Sequence, residues 1–317
     1  MKMRLSFLAT VAMLLALATS PVSAQECTGD CLMTGGKAGD YFKYYGPPAQ
    51  AALAKAWADV PIATSAGTPA NMDYVLAHPG SFMLAQGNVY GMLTGEEKYK
   101  DKFQILRAEG IGNEFIFVVV TQAVYDRVRG TWGGVLNNAE HAKFVNASRA
   151  SGPGRTFEQL QKIEPRLAAA KNVNYLTSAD SMDAALQMLV DQQAQVVLMV
   201  QAANPENDRF KFIKTNGLRI IPVRTPAMLN VQIPGVGPAF VPCGNQNVGE
   251  KELLSGACTP ILLVASASNT NTQLAKIKSY PASDFVPPEG SFARYWKQAM
   301  VWKGTLADTL ATWTKDM

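Results

Sequence analysis

CLMTGGKAGDY (residues 31–41), VPIATSAGTPANM (60–72) and SFMLAQGNVYG (81–91) share one form: a short apolar run that ends in a polar, glycine-bearing turn. A helix-like stretch follows each of the first two. Pro47 and Pro48 suit a first helical turn, where their missing N–H groups have no partner to lose, and PAQAALAKAWA continues it. A second helix is expected over 69–77, ending before His78-Pro79-Gly80. Apolar run, turn and helix in succession are the form of βα units, whose loops gather at one edge of a sheet. Backbone N–H groups and helix N-termini at such an edge favour a polar or anionic guest.

Downstream, FQILRAEG (103–110) reads as a strand, and FIFVVVTQ (115–122) as a buried strand that leaves the first unit. A second α/β unit begins near residue 123. In KFVNASRASGPGRTFEQLQKI (143–163) a strand meets a Gly/Ser-rich turn, and Thr156 is expected to open a helix, with Gln159 at capping-box spacing. Phe157, Leu160, Ile163 and Leu167 would form its buried face. Strands at 173–177, 194–201 and 218–223 alternate with helices at 181–192 and 206–217, which argues for a parallel sheet. Residues 224–260 are rich in Pro, Gly and Asn and return the chain to the first unit, PILLVAS (260–266) being the second crossing strand. Helices are expected at 271–279 and 291–316.

The first residues carry an export signal: Lys2 and Arg4, an apolar stretch from Leu5 to Ala18, and Val22-Ser23-Ala24, which places cleavage after Ala24 and the mature chain in the periplasm. The alternative is a retained anchor, but the apolar stretch is shorter than the roughly 20 residues that span a bilayer. Cys27 has no lipobox before it. Charged residues make up 17% of the chain and the formal net charge is +4, with no Lys/Arg cluster, so neither nucleic acid nor a membrane surface is indicated as a partner. An oxidising compartment permits disulfides. Of the three pairings open to four cysteines, proximity in sequence favours Cys27–Cys31 and Cys243–Cys258. The cysteine spacing and the two histidines, His78 and His141, do not suit a zinc site.

Three stretches carry a family resemblance: GGKAGDYFKYYGPPAQAALA (35–54), TSAGTPANMDYVLAHPGSFMLAQGNV (64–89) and ASGPGRTFEQLQ (150–161). In them the chain resembles a type II periplasmic solute-binding protein and, within that superfamily, the TAXI group of TRAP transporter receptors. One departure stands out: Gly39-Asp40-Tyr41-Phe42 is followed by Lys43-Tyr44-Tyr45-Gly46, which shifts the tyrosines of the first loop. The resemblance implies an α/β, two-lobed fold, each lobe a mostly parallel sheet flanked by helices, with the ligand cleft between lobes. The lobes would be 25–121 with 225–317, and 122–224, behind a signal peptide at 1–24.

Within that frame the candidate ligand-binding residues are Gly36, Lys37, Gly39, Tyr41 and Tyr44 in the first loop, and Ser65, Gly67 and Thr68 in the second. Gln86 and Asn88 lie at the third strand end. Arg149, Ser151, Gly154, Arg155 and Thr156 surround a helix start in the second lobe, and Gln201 and Asn204 leave a strand there. Lys37, Arg149 and Arg155 read either as partners of a ligand carboxylate or as solvated surface cations. Thr68 reads either as a site hydroxyl or as a helix cap. Gln86 offers both a donor and an acceptor. No GxSxG elbow, phosphate loop or nucleophile–histidine pair is visible, so no enzyme activity and no cofactor or metal is expected. The expectation is a monomeric receptor that binds a small polar, carboxylate-bearing molecule and delivers it to the permease of a TRAP or ABC importer. A sensor module, and a receptor for an aromatic or apolar solute, are the alternatives.

Overall fold

The computed structural model describes residues 27–56, 59–177, 181–251, 253–285, 287, 311 and 313–314. The export signal and nearly all of the helix expected at 291–316 lie outside the described residues. The first lobe is built from β1 (Leu32–Met33), β2 (Ile62–Ala63) and β3 (Phe82–Gln86), all parallel, with β1 between the other two. A π-helical turn at Tyr41–Tyr45 runs straight into α1 (Gly46–Ala56), and α2 (Thr68–Ala77) follows β2. A third helix, α3 (Gly87–Leu93), starts directly after β3. It was not expected, because Gly87, Asn88 and Gly91 are poor helix formers. Burial overrides propensity here: Gly87 lies so close to Pro260 that a Cβ would stand 2.8 Å from its ring, and Val89 and Tyr90 are core residues.

β4 (Phe103–Arg107) and β5 (Asn113–Val120) come next, then α4 (Gln122–Arg127) and α5 (Trp132–Asn137). The second lobe holds β6 (Lys143–Asn146), α6 (Gly152–Ile163), α7 (Pro165–Ala168), β7 (Asn172–Tyr175), α8 (Ser181–Val190), β8 (Val196–Gln201), α9 (Asp208–Thr215) and β9 (Arg219–Pro222). β6 pairs in parallel with β7 and β8, as βαβ units require. β5 lies antiparallel to β8 and β9. Its side chains are apolar on both faces: Ile116, Val118 and Val120 enter one cluster, Phe115, Phe117 and Val119 another. That double burial explains the unbroken apolar run.

Residues 224–260 are more regular than expected. They form a small hairpin, β10 (Gln232–Ile233) with β11 (Gly237–Pro238), then β12 (Val241–Gln246) and the start of β13 (Leu254–Ser266). β13 begins six residues before the expected crossing strand. Its first part, Ala257–Pro260, pairs with β5, and from Ile261 it pairs with β3, then with β4. One strand thus joins the two halves of an eleven-stranded sheet. Both expected cysteine pairs are joined, Cys27 to Cys31 and Cys243 to Cys258, the latter linking β12 to β13. The stretch at 272–279 is a run of 3-10 turns rather than an α-helix.

The start of α6 corrects the sequence reading. Ser151, not Thr156, is the N-cap, its Oγ accepting from Gly154 N–H at 3.3 Å, with Pro153 in the first turn. Thr156 sits one turn inside, donating to the Gly152 carbonyl at 2.9 Å. A serine just before Gly-Pro is the better start, because proline loses nothing there.

Candidate functional site

The loops after β1 and β2, the end of β3, the start of β5, the first turn of α6 and the end of β8 converge on one cavity of about 130 Å³. One water molecule needs roughly 10–15 Å³ of such space, so the cavity suits a molecule of several heavy atoms. Asn71, fully buried on α2, fixes the first-lobe loops: its Nδ2 donates to the Thr34 and Leu84 carbonyls at 2.9 and 3.0 Å. Ser65 Oγ accepts from Gly67 N–H at 2.9 Å and bonds Asn71 Oδ1. Thr68 Oγ1 accepts from Gln86 N–H at 2.9 Å, coupling the second loop to the third strand end.

The lobes meet beside this cavity. Gln86 Nε2 donates to Thr156 Oγ1 at 2.6 Å and to Asn88 Oδ1 at 2.7 Å. Asn88 Nδ2 donates to Thr156 Oγ1 at 3.0 Å and to Gln159 Oε1 at 2.8 Å. All four side chains are buried, so this polar latch operates away from water, where each bond is hard to replace. Gly67 has φ of 129°, and a Cβ there would stand 3.2 Å from Gly152 N. A Cβ on Gly152 would overlap Gln86 Oε1. Glycine is therefore what permits the two loops to touch.

Two carboxyl groups line the cavity. Asp40 Oδ1 accepts from Asn207 Nδ2, across the lobes, at 3.1 Å. Burial pushes the Asp40 carboxyl up from 3.8 to about 6, against the opposing pull of Arg209, the Ala202 amide and Asn207. Glu114, at the start of β5, accepts from the Tyr41 hydroxyl at 2.8 Å. Burial drives it from 4.5 to about 8; the Tyr41 bond works against the rise and Asp40 adds to it. Burial, then Glu114, holds the Tyr41 hydroxyl well above its ordinary pKa. Among the described residues Arg209 is the cation in the lining, and its Nε donates to Asp183 Oδ1 at 2.6 Å. It also lines a neighbouring cavity of about 220 Å³ with Lys43, Asp183 and Phe212.

No protein-family model matches this chain, and no curated protein sequence matches it. Solved structures do. One, described as the structure of a periplasmic transporter, aligns over 91% of this chain and 94% of its own, with TM-score 0.50 and 11% identity. Another, MatC from Rhodopseudomonas palustris with bound malate, aligns over 84% of this chain and 86% of its own, with TM-score 0.50 and 12% identity. The fold is that of a two-lobed periplasmic binding protein.

In the cleft of this fold the structure gathers Gly36, Gly39, Tyr41, Gly67, Thr68, Gln86, Ser151 and Gln201 around the cavity. The other candidates lie elsewhere. Lys37 is exposed outside the lining. Tyr44 packs on the cluster around Tyr45 and Leu53, and Ser65 supports its loop from behind. Asn88 and Thr156 belong to the latch. A Cβ on Gly154 would overlap the Ser148 carbonyl, so this residue serves the packing of α6. Arg149 and Arg155 both bind Glu158, at 3.1 and 2.9 Å, and Arg149 also covers the Tyr175 ring at 4.4 Å. Asn204 is buried after β8, its Oδ1 accepting from Glu206 N–H at 3.1 Å.

Sequence alone does not single out Asp40, Glu114 or Arg209. Asp40 sits inside the quoted first loop, and an acid in a Gly-rich loop gives a weak signal. Glu114 immediately precedes the apolar run of β5, a charge at the edge of a buried strand, which was the readable clue.

Proposed function

We propose that this protein is an extracytoplasmic solute receptor whose lobes close on a small polar molecule and hand it, chemically unaltered, to a membrane importer. The observation that carries the reading is a cavity walled by both lobes of a chain whose strand β13 joins the two halves of one sheet. Binding energy then stabilises the closed arrangement through differential affinity. The lobes are 25–121 with 225–317, and 122–224, with β5 and β13 of the first extending beside the strands of the second through the pairing of β5 with β8. A signal cleaved after residue 24 would release the chain, read here as a monomer, into an oxidising periplasm, where the two disulfides are stable.

A ligand carboxylate has two places to go, Arg209 and the Ser151–Gly152 edge of α6, in place of Lys37, Arg149 and Arg155. The importer is of the TRAP type if the TAXI resemblance holds, and of the ABC type otherwise. Native mass spectrometry of the protein purified from its own periplasm tests the reading. A stoichiometric small polar molecule, recovered unchanged after incubation, is the expected result. Conversion of that molecule by the protein overturns it. Co-purification with a permease, rather than a sensor kinase, supports the transport role.

A further inference from the structure

The polar lining of the cavity does not match a purely anionic guest. Among the described residues two carboxyl groups, Asp40 and Glu114, line it against one cation, Arg209, whose Nε is already committed to Asp183. The α6 terminus is also a weaker anion trap than its sequence suggests. Pro153 has no N–H, and Gly154 N–H is taken by Ser151 Oγ, leaving the Gly152 N–H to meet a guest. Meanwhile polar atoms beside the cavity lack partners. Asp40 Oδ2 makes no hydrogen bond of normal geometry, and neither end of the Gln201 side-chain amide makes any. Asp40 and Gln201 are each only 4% exposed. Buried polar groups left without partners destabilise the empty cavity, and a guest with the right donors offsets that cost.

We propose that the solute carries a protonated amine as well as an acidic group, with the amine held by Asp40 and Glu114 and the acidic end by Arg209 and the Gly152 N–H. This rests on the receptor reading above and narrows its substrate to small zwitterions. The acceptors required for an ammonium group are Asp40 Oδ2, the Glu114 carboxylate and Gln201 Oε1, from three different elements. An ammonium donates three bonds and accepts none, so it satisfies acceptors that a dicarboxylate would leave bare or repel. The raised Glu114 fits this: a cation placed beside it favours ionisation, and binding would expel its proton.

The test is a thermal-shift and calorimetric screen of the protein stripped of any bound molecule by unfolding and refolding. The probes are the small α- and ω-amino acids, their N-acetyl derivatives, and malate and succinate. The expected result is that at least one amino acid binds, its N-acetyl form binds at least ~10-fold more weakly, and Asp40→Asn and Glu114→Gln each cost roughly 10–100-fold in Kd. Glu114→Gln keeps an acceptor for Tyr41, so it serves if Asp40→Asn does not fold. Binding of malate or succinate in preference to every amino acid, or unchanged amino-acid affinity in both folded variants, overturns the proposal while leaving the receptor reading intact. No binding in the screen, and no molecule released from the periplasmic protein, overturns both.

Discussion

Gly152 and Gly154 stand two positions apart and do different work. A methyl group on Gly154 would press into the Ser148 carbonyl, within the second lobe. One on Gly152 would press into Gln86, which belongs to the first lobe and is held by Thr156 and Asn88. Gly154→Ala is therefore expected to cost stability, about 1–3 kcal/mol in urea unfolding, as overpacking does. Gly152→Ala should lower the urea midpoint less than Gly154→Ala, because parting of the lobes relieves the clash with Gln86 and Ala is welcome in a first helical turn. Its effect should be on closure: ligand affinity falls at least ~10-fold, and small-angle scattering shows a more open molecule. Equal loss of stability in both variants would mean that the loops do not separate independently of the fold. The glycines were visible in the sequence as a Gly-rich turn. Which of them faces the other lobe was not, because that depends on Gln86, far away in the chain.

The same limit governs the longer pieces. β5 and β8 were legible because strands buried on both faces must be apolar throughout. α1, α2 and the apolar face of α6 were legible from prolines and periodicity. β13 was read only from Pro260 onward, since the Ser, Gly, Thr and Pro of its first half say little by themselves; that half is a strand because β5 and β12 lie on either side of it. The Cys243–Cys258 bond ties β12 to β13 where β13 still belongs with β5. A closed loop with a sequence separation of 15 limits the unfolded chain enough to be worth about 3 kcal/mol. Replacing both cysteines with alanine should lower the unfolding free energy by about that amount. It should leave ligand affinity within a factor of two or so, because neither sulfur lines the cavity. A large loss of affinity instead would show that the staple sets the geometry of the crossing strand.

The buried acids make the stability of the entire protein depend on pH, with a sign that can be worked out. In the unfolded chain Glu114 loses its proton near its ordinary value of 4.5; in the folded protein burial holds it to about 8. Between those limits the folded state binds more protons than the unfolded one, so the unfolding free energy falls as pH rises. The favourable contribution is complete below about pH 4.5 and is lost as pH climbs through 8. Asp40 acts in the same direction between 3.8 and about 6, so most of its effect is spent before neutrality. From pH 6 to 9 the slope therefore belongs mainly to Glu114, and a shift of this size is worth on the order of a few kcal/mol. The melting temperature of the stripped protein should fall by several degrees across that range, and Glu114→Gln, which has no proton to lose, should flatten most of the fall. An amine-bearing ligand should flatten it too, because its charge stabilises the ionised carboxylate that high pH creates. If the slope persists in Glu114→Gln, the dependence arises elsewhere and Glu114 is not the group that senses pH. If it vanishes in the variant but survives saturation with the bound solute, Glu114 titrates as described and the amine does not lie beside it.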